Sequence, residues 1–397
     1  MLLVDQKASG LLFKINFARE EIAKIKSPDE ILINYLEDLK IWLNKLENQV
    51  RKNQELFKQF VTTTNFIEKD HLRDEPQRRL LADILRVCRD VERDFYLGVD
   101  AFLPLISVWF HQRSDEGTRR QHKLLVSFIQ DMLKLSNIPE VTMVILGETH
   151  ACLPLYWGKT TRHIVFATLS EIKNLRRWGL LAHEMGHAFY DLNFEEFYLN
   201  VIPQVIRKLA ETKPINIKPS EFEDTIYIWA TKWVPELAAD CFAIKNMGPS
   251  FLTQFMLIAL DSEPDRVEPS HPPTNLRVKF MIDVLESLEL SDVNVESYRN
   301  IWDAYSRSVS HPSSRYILNE EVVNEALNGI NSIVQDSPIK NKWNDIFKAR
   351  EFLSQGMMPD KDLISIVSAT ALVDPTINLC PIYETLLERY ASNHDSF

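Results

Sequence analysis

His183 and His187 stand four residues apart around Glu184, in the order His-Glu-Met-Gly-His. Residues i and i+4 lie one above the other on a helix face, so both imidazoles can reach one metal ion only if this stretch is helical. Glu184, about 100° round that helix, then stands beside the ion, where it can take a proton from a water. The flanks Leu180, Leu181, Ala182, Ala188 and Phe189 are apolar, so the helix is expected to be buried. Two imidazoles do not complete a site of this kind. A second segment must supply a third ligand, and the chain must pack that segment against the first.

An HExxHxxGxxH continuation would provide the ligand locally, but Tyr190 and Asn193 occupy its Gly and His positions. Glu195 and Glu196 are too close in sequence to fold back onto the same ion. The better source is Pro235-Glu236-Leu237-Ala238-Ala239-Asp240, with Pro235 suited to a first helical turn. Glu236 and Asp240 again share one helix face. Glu236 is expected to be the third ligand and Asp240 to accept the outer N–H of a ligating histidine, fixing its tautomer. Ala238 and Ala239 are small enough for two helices to pack closely at the metal. The expected cofactor is one zinc ion per chain, held by His183, His187 and Glu236.

The rest of the chain is expected to be mostly helical. Ten glycines in 397 residues is far below the usual ~7%, which leaves few positions for left-handed turns, tight hairpins or phosphate-cradling loops. A net charge of −11 lacks the basic footprint of a nucleic-acid binder. Cys88, Cys152, Cys241 and Cys380 show no CxxC spacing and no disulfide framework. No apolar run approaches the ~18–20 residues of a membrane span. The amino terminus has no cationic start before a clean apolar core, so no secretory signal is expected and the cytoplasm is the expected location.

Ser27-Pro28-Asp29-Glu30 reads as a capping box opening a long helix. Leu32, Leu36, Leu39, Leu43, Leu46 and Val50, then Phe57 and Phe60, follow a 3.5-residue repeat with Asn53 in a core position. Residues 28–60 are expected to be one arm of a helical hairpin within this chain. The alternative use of that seam is a helical protein partner or self-association. Helices are expected at about 75–97, 100–112 and 118–135, and strands at 141–146 and 162–167 joined by a loop. Thr168-Leu169-Ser170-Glu171 is expected to cap the helix that carries His183. A helix at about 221–233, a new one from Pro235 to Met247 ended by Gly248 in the left-handed region, and helices from about 290 onward complete the reading.

The motif HEMGH, the segment ELAADCFAIKNMGPSFL and the later Ser270-His271-Pro272-Pro273-Thr274-Asn275-Leu276-Arg277-Val278 together resemble the gluzincin metallopeptidases. The resemblance covers about 140–285 and is closest to the prenyl-protein (CAAX) endopeptidase and HtpX-like family; RRWGLLAHEMGH also resembles the soluble ImmA/IrrE-type regulatory proteases. It implies a mainly α fold with a small β-sheet (α+β). A zincin-like core at 141–290 would be flanked by helical regions at 1–140 and 291–397. The family's membrane setting is not carried over.

The resemblance further implies that a residue near His271 stabilises a tetrahedral oxyanion. Ser270 can cap a helix begun by Pro272 or Pro273 and so present His271 at a rigid point. Arg277, one to two turns in, is expected to tie down site carboxylates or a core carbonyl. Such enzymes add an extended substrate to an exposed edge strand, a role expected of Arg162–Ala167 with Val165; His150, Tyr156 and Trp157 in the preceding loop would line the groove. The implied activity is a zinc-dependent endopeptidase with Glu184 as general base, acting on a protein or peptide substrate and regulated by its helical flanks. The other reading is a non-catalytic or regulatory zinc-binding module that recruits protein partners. An intact Glu184 favours the first.

Overall fold

The computed structural model describes residues 2–25, 30–64, 75–96, 99, 102–114, 116–136, 138, 143–147, 151–157, 160–168, 172–260, 263–309, 316–335 and 337–392. These form two compact units: residues 1–114 with 154–163 and 396–397, and residues 115–153 with 164–395. The fold is mainly α with a small three-stranded mixed sheet, the class the scarce glycines imply.

The first unit holds α1 (Leu2–Lys24), α2 (Glu30–Thr64), α3 (Glu75–Phe95) and α4 (Phe102–Ser114). The capping box Ser27–Glu30 falls largely outside the described residues. The heptad stripe of α2 is buried from Leu32 through Phe57, and α2 packs along α1 and α3. Asn53 sits in that seam satisfied: its Nδ2 donates to the Ile84 carbonyl at 2.9 Å. The described part of the stripe is thus covered by the chain's own helices, as one arm of a hairpin within this chain would be.

The chain continues with α5 (Glu116–Leu135) and the strands β1 (Met143–Gly147), β2 (Ala151–Trp157) and β3 (Thr160–Thr168). Strand order is β1-β3-β2, with β1 parallel to β3 and Val144 opposite Val165. His122 on α5 donates to the Val144 carbonyl at 2.6 Å and fixes α5 on the sheet. Two expectations change here. The loop between the expected strands contains a third strand, β2. And β3 lies in the middle of the sheet, so its backbone groups are already paired and an extended substrate cannot add to it.

A 3₁₀ turn (Leu175–Leu180) leads into α6 (Leu181–Leu192), followed by α7 (Phe194–Glu196), a π turn (Phe197–Val201) and α8 (Ile202–Glu211). Thr168 ends β3, so it does not cap the His183 helix as expected; the helical lead-in begins at Leu175. Next, α9 (Pro219–Ile228), a π turn (Trp229–Trp233) and α10 (Val234–Met247) follow without interruption. Gly248 stops α10 at φ +57° and ψ −136°, outside the expected αL well and in a region only glycine enters easily.

The remaining helices are α11 (Pro249–Ala259), α12 (Thr274–Ser287), α13 (Val295–Val309), α14 (Glu320–Ile333), α15 (Pro338–Ser354), α16 (Leu363–Thr370) and α17 (Cys380–Ser392). They do not form a separate region after residue 290. α17 packs along α5, and α14 along α8 and α10, so the helices after 290 close the same core as the metal-site helices. The first division falls at 114 rather than 140. No described helix is long and apolar enough to cross a membrane.

Candidate metal centre

α6 and α10 approach at their backbones. A Cβ built on Gly186 would lie 2.5 Å from Ala239 Cα and 2.7 Å from its carbonyl oxygen. Only a residue without a side chain fits there, and Ala238 and Ala239, both fully buried, supply the small surface opposite. This contact brings the two helix faces expected to carry ligands into register.

His183 Nε2 lies 3.2 Å from His187 Nε2 and 3.4 Å from Glu236 Oε2. His187 Nε2 lies 3.5 Å from Glu236 Oε1. The edge of a tetrahedron with zinc-like donor distances of ~2.0–2.2 Å is about 3.3–3.6 Å. The three side chains therefore face one point at the spacing that such an ion requires, and this group can hold a metal ion. Glu236 Oε2 is buried, and its neighbours His183 Nε2 at 3.4 Å and Arg277 Nη1 at 3.3 Å are charge contacts rather than well-aligned hydrogen bonds, which suits a ligand atom.

Asp240 is fully buried beneath the site. Its carboxylate accepts His183 Nδ1–H at 3.0 Å, and Arg277 donates to it twice, from Nε at 2.8 Å and Nη2 at 2.7 Å. Arg277 Nη1 reaches to 3.3 Å from Glu236 Oε2, and its guanidinium lies 4.6 Å from the Phe255 ring centre on α11. Phe251, one turn earlier on α11, lies parallel to the His183 ring. Burial alone would raise the Asp240 carboxyl, but Arg277 and His183 outweigh it and hold it below the ordinary range. Burial likewise opposes ionised Glu236, and His183 and Arg277 again win, keeping it a carboxylate.

Glu184 is half-buried beside the ligands, and its carboxylate takes the backbone N–H of Cys152 on β2. Burial first, with Glu236 adding, pushes its pKa upward, the direction that strengthens a base at neutral pH. His271 is 54% exposed; its Nε2 lies 3.6 Å from Glu236 Oε1 and its Nδ1 3.0 Å from Ser270 Oγ. Ser270 does not cap the following helix, because α12 starts at Thr274 with Pro273 at the cap position and no side-chain bond. The loop is braced instead by Asn275, which bonds Asp265 and is itself held by Trp302, and by Trp233 donating to the Glu268 carbonyl at 3.3 Å.

Val165 is fully buried in the core, so it does not line a groove: the middle strand turns it inward. His150 and the side chains of Tyr156 and Trp157 lie outside the described residues. Sequence reading missed β2, whose contribution to the site is the Cys152 amide, and the α11 aromatics under His183 and Arg277. The sequence signals for β2 are the turn glycine Gly158 between two apolar runs and Pro154, a residue suited to the edge of a sheet, where β2 lies.

Comparison with protein-family models, curated proteins and solved structures gives no match to this chain.

Two outcomes follow for the metal. Glu236→Ala is expected to lower metal content from about one ion per chain to near zero after dialysis, and to lower the melting temperature, because the ion joins helices distant in sequence. Elemental analysis and thermal melts check this; full occupancy in the variant would remove Glu236 as a ligand. The second outcome concerns protons. Burial disfavours charged His183, but its bonds to Asp240 and Glu236 prevail and raise its pKa to about 10. Burial and the neighbouring His183 lower His187 to about 4. At pH 7–8 the metal-free site thus holds a proton on His183 and none on His187. Metal uptake is expected to release about one proton, with affinity rising roughly tenfold per pH unit below pH 10. Calorimetry in buffers of different ionisation enthalpy measures that number. The same raised pKa stabilises the metal-free fold fully below about 6.5, an effect lost as pH rises through about 10.

Proposed function

We propose that the protein is a zinc-dependent endopeptidase of the gluzincin type, hydrolysing peptide bonds in a protein or peptide substrate. The observation that carries this reading is the meeting of three donors at tetrahedral spacing with a fourth carboxylate, Glu184, beside them and outside the ligand set. Zinc held by His183, His187 and Glu236 would supply Lewis acidity and make water a stronger nucleophile near neutral pH. Glu184 Oε accepts the proton of the attacking water and returns it to the departing amine nitrogen. Asp240 holds the His183 ring through Nδ1 so that Nε2 faces the ion, and Arg277 locks Asp240 in both directions. A regulatory module that kept zinc only for stability would have no use for a raised carboxyl at position 184.

All four cysteines are described and none forms a disulfide, which fits the cytoplasm as the working compartment. The deciding experiment compares protein N-termini in cells expressing wild type and Glu184→Gln. New N-termini that depend on Glu184 support the endopeptidase; identical profiles oppose it.

His271 is the candidate for balancing charge on the former carbonyl oxygen. A positioned donor is typically worth about 10²–10³ in rate, so His271→Ala is expected to lower kcat by that factor with KM and zinc content nearly unchanged. Steady-state kinetics on one peptide decide: a normal kcat returns His271 to a turn residue.

A further inference from the structure

On the far side of α11 from the metal centre, the second unit contains a cavity of about 420 Å³, within the range of small-molecule sites. α11 is a wall of both. Pro249 and Thr253 line the cavity, while Phe251 and Phe255 face His183 and Arg277. Residues two apart on a helix differ by about 200°, so the two faces are opposite.

The cavity is pre-shaped by hydrogen bonds. Tyr298 on α13 and Thr253 share one at 3.2 Å. Trp343 on α15 donates to the Ser291 carbonyl at 2.7 Å, fixing the turn that follows. That turn holds Asp292 at φ +62°, a left-handed conformation that Asp tolerates better than most non-glycine residues. Trp343, Leu372 and Val373 make an apolar wall.

Only two lining residues carry charge, Asp292 and Arg350. Neither is in a salt bridge among the described residues. Arg350 lies 5.7 Å from the Phe347 ring centre on its own helix. One unpaired cation and one unpaired carboxylate on the rim of an otherwise uncharged cavity disfavour a polyanion or a polycation. They match a molecule that carries one of each.

We propose that this cavity binds a small zwitterion with an apolar side chain, an amino acid or dipeptide. Its carboxylate lies at Arg350, its ammonium at Asp292 and its side chain against Trp343, Leu372 and Val373. The site stands independently of the peptidase reading; if that reading holds, the ligand belongs to the class of its products.

The test uses the full-length chain carrying Glu184→Gln, so that bound peptide is not consumed, and calorimetry with leucyl-phenylalanine. Saturable binding with Kd of about 10–100 µM is expected for a ligand of this size. Arg350→Gln and Asp292→Asn, both exposed rim changes, are each expected to weaken it at least tenfold. N-acetyl-leucyl-phenylalanine, lacking the ammonium, should be indifferent to Asp292→Asn; leucyl-phenylalaninamide, lacking the carboxylate, should be indifferent to Arg350→Gln. Repeating the titration after zinc removal should leave the affinity unchanged. No saturable binding overturns the proposal, and so does an affinity that ignores both rim variants or disappears with the zinc, which would move the dipeptide to the metal centre.

Discussion

Glu184→Gln is expected to lower peptide hydrolysis by about 10²–10⁴-fold while zinc stays bound and the fold stays intact. Glutamine keeps the shape of the side chain and its acceptor for the Cys152 amide, but an amide cannot take a proton from water. Glu184 is not one of the three residues whose donors converge, so metal content should remain at one ion per chain. Substrate contacts made equally in ground and transition states are untouched, so the loss should fall on kcat rather than KM. Measuring zinc and kcat on the same preparation makes the result decisive. Unchanged turnover in zinc-loaded Glu184→Gln would remove the proposed mechanism, whatever else the site binds.

Gly186→Ala is expected to be the most damaging glycine-to-alanine change among the described residues. The added carbon would sit 2.5 Å from Ala239 Cα, and backbone cannot rotate aside as a side chain can. Overpacking of this kind costs about 1–3 kcal/mol and occasionally more. Here the relief is to push α6 and α10 apart, which separates His183 and His187 from Glu236. A displacement of about 1 Å at a reacting centre can cost 10²-fold in rate, so zinc affinity and activity should fall together with stability. Gly179→Ala is the matched control: its new carbon would meet Ser250 Oγ at 3.7 Å and Phe251 Cα at 3.8 Å, ordinary contacts. Melting curves and zinc titrations on the two variants should therefore diverge. Equal behaviour would show that the close helix approach does not hold the site.

The site was legible wherever chemistry imposes a spacing. His183, His187, Glu236 and Asp240 follow from i, i+4 geometry alone, and the structure brings all four together with Arg277. What escaped depends on chain reversals that no local pattern encodes. β3 has the composition of a strand, but nothing in Arg162–Ala167 says that it lies between two others; that follows from the hairpin return of β2. Val165 was assigned to a groove for the same reason, since which face of a strand turns inward depends on the layer beside it. Thr168 and Ser270 satisfy the capping pattern, yet Thr168 lies in β3 and α12 starts only at Thr274. A cap motif is a local preference, and tertiary packing starts each helix several residues later. The seam of α2 shows the complementary case: the 3.5-residue repeat located its buried face, but a repeat does not name the helix that covers it.

The π turn at Trp229–Trp233 bears on how this chain can vary in length. There Val234 N–H donates to the Trp229 carbonyl, five residues back rather than four, so the rod from Pro219 to Met247 carries one supernumerary residue. Trp229 and Trp233 use their indole N–H groups to hold the carbonyls of Ile317 and Glu268, while Glu236 and Asp240 must face α6. Deleting the exposed Lys232 would restore ordinary α-helical phase and turn everything after it by about 100° relative to everything before. Trp229 would then be out of phase with Trp233 and with both carboxylates. Point substitutions on the exposed side of this stretch are cheap, but its residue count is not free to drift: between Trp229 and Glu236, the chain behaves like a gear with a fixed number of teeth.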